Sequence, residues 1–216
     1  MLLVRLHQKI NQFSLNLDCN FVMNFRNLFG LDKRVADSVA YDYDGILHLW
    51  EDDYLMLELL PKENLEFIKS ETVRINDFGQ GHFNGHGFTE ITPIGEKPFK
   101  TVEKLIDISD VVEIISNVGL YKVVKFHIQG VGLLQGENVP LGFGTNTFAI
   151  MCERRNNLLT DIWITGRTVT KEEKDKLIDT LFQLGQAFNF IAVNWYSGEY
   201  FKMVERSSVE QFATAV

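Results

Sequence analysis

TFAIMCERRNNLLTDIWITGRTVTKEEKDKLIDTLFQLGQAF, residues 147–188, sets the fold class of this chain. Residues 147–153 and 159–165 are short apolar runs carrying β-branched and aromatic side chains, and Arg154, Arg155, Asn156 and Asn157 between them are polar, so two strands joined by a hairpin loop are predicted. The period then changes. Leu177, Ile178, Leu181, Phe182 and Leu184 recur at helical spacing, and Thr170 with Glu173 makes a capping box that starts a helix over 170–188. A hairpin followed by a helix predicts an α+β fold, with antiparallel β meanders and hairpins against which helices pack.

Towards the C-terminus the same grammar continues. A strand at 190–195, a turn at Tyr196-Ser197-Gly198, a strand at 200–205 and a short helix ending at Ala213 are predicted. Towards the N-terminus, GVGLLQGENVPLGFG at 130–144 holds five glycines in fifteen residues and predicts a long mobile connection. Before it come a strand at 121–128 and a helix over 101–117, the latter carrying Val102, Leu105, Ile108, Val112 and Ile115 on one stripe. Residues 77–100, rich in glycine and aromatics, are predicted to be loop or irregular strand, and 62–75 a helix. A strand at 54–60 is preceded by a hairpin whose strands, 38–43 and 46–50, flank Asp44-Gly45.

A faint echo links WEDDYLMLELLPKENLEF at 50–67 with WYSGEYFKMVERSSVEQF at 195–212. Both run from Trp through a polar turn, a Tyr and a strand into a helix. Convergent hairpin-helix grammar accounts for the match more economically than duplication, which would make the fold two similar hairpin-helix halves. The expected organisation is an N-terminal extension or lead-in helix over 1–36 and a single α+β domain over 37–216, with a subdivision possible in principle near 119.

Charge is distributed unevenly. The chain has 216 residues and a formal net charge of −8, and between Asp37 and Glu66 lie nine carboxylates and one lysine, Lys62, so the rest of the sequence is balanced. Such a segment steers cationic partners, and it disfavours nucleic acid, since no basic stripe offsets it. Cys19 and Cys152 lie too far apart for zinc spacing and form no disulfide framework, which predicts a reducing, cytoplasmic location. Polar residues interrupt the apolar N-terminus before it can act as a signal sequence, and no apolar run is long enough to span a bilayer, so no membrane association is expected.

No nucleophile motif, phosphate loop or dinucleotide fingerprint is present. Two readings of function remain. In the first, the chain is a non-enzymatic protein-binding module: Asp42, Asp44, Glu51, Asp52 and Asp53 supply potential complementary to a basic protein partner, and Trp50 and Tyr54 are aromatic anchors where they face outward. The bacterial immunity proteins, small acidic cytosolic proteins that neutralise basic nuclease toxins, resemble it in charge logic, though no motif of theirs is matched. A solvated face that keeps the chain soluble accounts for the same charge. In the second reading, the Gly/His-rich loop 77–90 serves a metal-dependent or acid/base enzyme, with His82 and His86 binding a transition metal or carrying protons, and with Asp77, Glu90 or His127 able to complete the set. Calcium is disfavoured, because the run 40–45 with Glu51 lacks the first aspartate of an EF-hand loop and strand-like sequence flanks it.

Overall fold

The computed structural model describes residues 42–43, 45–86, 89–90, 92–135 and 139–215. The extension at 1–36 lies outside these residues. The fold is α+β: the described residues form four α-helices, a large sheet whose strands are antiparallel apart from a short parallel strand at Asp42–Tyr43, and a small mixed sheet.

The hairpin that anchors the sequence reading is the longest among the described residues. Strands β8 (Phe148–Arg155) and β9 (Leu158–Gly166) pair antiparallel. Asn156 and Asn157 alone form the loop, at φ 49° and 66°. Positive φ at both positions is what a twisted two-residue hairpin requires, and asparagine tolerates it better than most side chains. The helix that follows, α3 (Lys171–Phe188), starts at the predicted box: Thr170 Oγ1 accepts from Glu173 N–H at 3.1 Å and Glu173 Oε2 accepts from Thr170 N–H at 2.9 Å.

The large sheet has the order β1-β4-β7-β8-β9-β3-β10-β11, with β1 at Asp42–Tyr43, β3 at Leu57–Pro61, β4 at Tyr121–Val123, β7 at Leu141–Gly144, β10 at Phe190–Asn194 and β11 at Glu199–Lys202. The small sheet has the order β2-β5-β6, from Leu47–Leu49, Lys125–Ile128 and Gly132–Gln135. On one side of the large sheet, Leu57, Leu59, Ile150, Cys152, Ile162 and Ile164 pack against α2 (Ile108–Asn117), α3 and α4 (Arg206–Ala215) through Val111, Ile115, Leu177, Leu181, Val209 and Phe212. On the other, Leu60, Met151, Trp163, Ile191 and Val193 pack against the small sheet and α1 (Leu65–Gly81) through Leu47, Phe126, Ile68 and Ile75.

Several predicted elements are corrected. Asp44-Gly45 does not close a hairpin: β1 pairs parallel with β4 in the large sheet, while β2 pairs parallel with β5 in the small one. The predicted single strand 121–128 likewise divides at Val124 between the two sheets. Gly-rich 130–144 contains β6 and β7; in β7, Gly144 has no room for a Cβ, which would run into the backbone of Phe148 and Ala149 on β8. The start of the predicted loop 77–100 is the last turn of α1. The predicted helix 101–117 breaks at Leu105, which adopts φ 55° and is 71% exposed, so the stripe does not include it. The break lets Ile106 O accept from Leu159 N–H at 2.9 Å and Ile108 N–H donate to Asn157 O at 2.8 Å, joining the start of α2 to the hairpin tip.

The echoed segments occupy different positions. β3 is internal and β11 is an edge, α1 and α4 lie on opposite sides of the sheet, and Trp50 is exposed where Trp195 is buried.

Candidate functional site: an acidic ridge above a buried polar cluster

The ridge begins where β2 ends. Alternation along Leu47–Leu49 buries Leu47 and Leu49 and turns Ile46, His48 and Trp50 outward, leaving Trp50 57% exposed. A 3-10 turn follows at Glu51–Asp53, closed by Asp53 N–H donating to Trp50 O at 3.1 Å. Leu55 then takes φ 57°, a costly conformation for a γ-branched side chain that neighbouring contacts must enforce. Two backbone bonds hold it: Met56 N–H donates to Asp53 O at 3.3 Å, and Trp195 N–H to Met56 O at 2.9 Å.

Distant elements fix the turn from outside. Tyr196, in the β10–β11 connection, donates its hydroxyl to Asp52 O at 2.8 Å and lies 3.3 Å from Asp53 Oδ1, while Thr165 of β9 donates to Asp53 Oδ2 at 3.2 Å. Burial, followed by the charge and hydrogen bond of Asp53, raises the Tyr196 hydroxyl above its ordinary range, so it stays protonated and donating. The ridge therefore presents Trp50, the Asp52 carboxylate and the ring of Tyr196, itself 55% exposed, on a pinned backbone.

Tyr54 requires a correction, because it does not face outward as an anchor. It is buried, packs edge-on to Trp163 with ring centroids 5.3 Å apart, and donates to Glu153 Oε1 at 2.6 Å. Burial first, then Glu153 and Asp161, push its hydroxyl well above the ordinary value. The Asp44 position, and the side chains of Asp42 and Glu51, lie outside the described part of the structure.

Beneath the ridge is a polar cluster for which the sequence carries only an indirect sign. Glu58, the second residue of β3, is 1% exposed; Lys97 pairs with its Oε1, and Trp195 Nε1 donates to its Oε2 at 3.3 Å. Lys97 also lies 3.7 Å from Asp161. Register explains the gathering, since Glu58 is opposite Trp163 and Glu153 is opposite Asp161, all on the small-sheet side. The indirect sign was Met56-Leu57-Glu58-Leu59-Leu60: apolar residues at both parities mean a strand buried on both sides, so Glu58 shares its side with Met56 and Leu60.

Lys97 reaches the cluster from an extended strap, 92–100, that crosses above α1. Arg74 donates to Thr92 Oγ1 at 2.7 Å and Pro93 O at 2.6 Å, while Glu71 accepts from Gly95 N–H and from Arg74. The buried amide of Asn64 donates to Phe99 O at 2.8 Å and accepts from Phe99 N–H at 3.1 Å. Asn64 occupies the residue before α1, yet its side chain makes no cap and holds the strap instead.

These contacts redistribute the charge that the sequence concentrates in 37–66. Glu58 is matched by Lys97, Glu63 by Lys104 at 3.2 Å, and Glu66 by Lys69 at 2.7 Å. Among the described residues, no basic side chain forms an ion pair with Asp52 or Asp53. Among the described residues, the carboxylates of the segment left without an ion pair are Asp52 and Asp53, at the ridge.

His82 lies just after α1, stacked on Phe78 at 3.9 Å, with Nδ1 2.8 Å from Phe78 O and Nε2 3.6 Å from Glu90 Oε2. His86 is exposed, and its backbone N–H donates to Asn84 Oδ1 at 3.0 Å. Among the described residues no group of three or more His, Cys, Asp or Glu is placed to hold a metal ion, and His127 sits against His48 rather than near this loop. Cys152 is fully enclosed in the core, and burial pushes its thiol up to about 12, so it is no nucleophile at neutral pH. No described helix is long and apolar enough to cross a membrane.

The chain matches no protein-family model, and neither a curated protein nor a solved structure is significantly similar to it.

Proposed function

We propose that the protein is a non-catalytic cytoplasmic binding module that docks a basic protein partner on the ridge of Trp50, Asp52, Asp53 and Tyr196. The observation that carries the reading is the placement of charge: three carboxylates of the acidic segment pair with lysines of the same chain, whereas Asp52 and Asp53 stand beside a largely exposed tryptophan. Interface hot spots favour exposed Trp and Tyr on pre-ordered backbone, and flanking charge sets the rate and selectivity of encounter. Neutralisation of a basic toxin, in the manner of an immunity protein, is one role that fits such a surface.

The test is a pull-down from lysate of the native source at low and moderate salt, comparing wild type with Trp50→Ala and with Glu51→Gln/Asp52→Asn. Asp53 is left intact because it holds the turn. The expected result is a basic protein retained by wild type, released by salt, and lost from both variants. Equal retention by all three would overturn the proposal.

A further inference from the structure

The outer side of the small sheet carries two imidazoles in register. His48 of β2 and His127 of β5 are Cα partners on adjacent parallel strands, and their rings lie 5.0 Å apart at 42°. Their neighbours along each strand, Leu47, Leu49, Phe126 and Ile128, are buried on the opposite side, so alternation forces both histidines into solvent. The pair is thus held by a backbone with little freedom to separate it.

We propose that His48 and His127 form a two-imidazole site for a divalent transition ion of the copper, nickel or zinc class. Geometry supports it. With metal–nitrogen bonds of about 2.0–2.1 Å and a ring nitrogen about 1.1 Å from its centroid, two imidazoles on adjacent coordination positions of one ion place their centroids about 4.5–5.2 Å apart. The observed separation falls inside that window before any ion is bound. Neutral imidazole suits these ions, and two nitrogens with the remaining positions taken by water match a tetragonal copper or nickel centre. Lys125 on the same side of β5 opposes a cation, which favours an ion bound through covalent character over one held by charge alone, such as calcium. An ion bridging the pair clamps β2 to β5 and so fixes the strand that leads into Trp50. This site stands independently of partner docking.

The experiment is thermal unfolding of the full chain in Ni²⁺ alone, for wild type, His48→Gln, His127→Gln and His82→Gln/His86→Gln. At a hundredfold excess over the dissociation constant, the wild-type midpoint rises by about 5 to 10 °C. The same rise is expected in the His82/His86 variant, whereas either single substitution in the pair weakens Ni²⁺ binding about a hundredfold, the chelate advantage of two linked ligands. A wild-type midpoint that does not move, or a rise that survives in His48→Gln or His127→Gln, or one abolished only by the His82/His86 changes, overturns the site.

Discussion

On the side of the sheet covered by α2, α3 and α4, β3, β8 and β9 contribute Leu57, Leu59, Ile150, Cys152, Ile162 and Ile164. One residue along the same strands, the other side contributes Glu58, Glu153 and Asp161, with Tyr54, Lys97 and Trp195 as partners. The first side is held by area removed from water, which tolerates imprecise geometry. The second holds charges whose desolvation is offset only while each keeps its partner. Stability on one side should therefore follow volume, and on the other pairing.

The largest effect that separates them is expected for Lys97→Met. It leaves Glu58 buried with only Trp195 as a donor and should cost about 3–5 kcal/mol in denaturant unfolding. Adding Glu58→Met should recover most of that loss, and failure to recover it would mean that Lys97 acts through strap packing rather than charge. On the helix-covered side, Leu181→Ala should cost about 2–5 kcal/mol, with no dependence on pH and no rescue by a second deletion. Tyr54→Phe removes one donor from Glu153 and should cost about 1–3 kcal/mol without changing shape.

A smaller and pH-dependent effect belongs to the rim of the helix-covered side. Partial burial of Glu173 opposes its ionisation, but hydrogen bonds from the Thr170 and Val169 N–H groups and the Thr145 and Thr147 hydroxyls outweigh this and hold it down to about 2. Because the folded value lies below the ordinary one, its contribution is complete above about pH 4.5 and fades as pH falls towards 2. Glu173→Gln should flatten unfolding free energy against pH across that interval and leave it steep for the wild type. The smallest effect concerns Cys152: in a Cys19→Ser background it should resist thiol reagents in the folded state and react at once in denaturant.

Legibility in the sequence followed the locality of the forces. The β8–β9 hairpin and α3 are specified by neighbours and both are readable, Thr170 with Glu173 giving the cap, although the loop read over Arg154-Arg155-Asn156-Asn157 narrows to the two asparagines because both arginines pair within β8. The parallel pairings of β1 with β4 and β2 with β5 have no local signature, so Asp44-Gly45 was credited with a hairpin that the tertiary fold overrides. Glycines at 130–144 suggest mobility, yet Gly144 is where strand β7 needs the absence of a side chain. At the candidate site, Trp50 and the aspartates were visible as composition. Tyr196 and Thr165, which pin the turn, come from residues more than a hundred positions away and were not. Charge summed along the chain also concealed that Lys97, Lys104 and Lys69 return to pair with Glu58, Glu63 and Glu66.

The position of β3 bears on how the molecule comes into being. It lies between β9 and β10, and its Glu58 meets Trp195 across 137 positions of chain. During synthesis the early strand must wait for both of its neighbours, β9 and β10, which follow it far later in the chain. Meanwhile β9 and β10 each present an open row of amides and carbonyls where β3 will insert. Such late, non-local closure is slow, and it leaves a nascent chain recognisable to chaperones by exposed strand edges rather than by any single apolar segment.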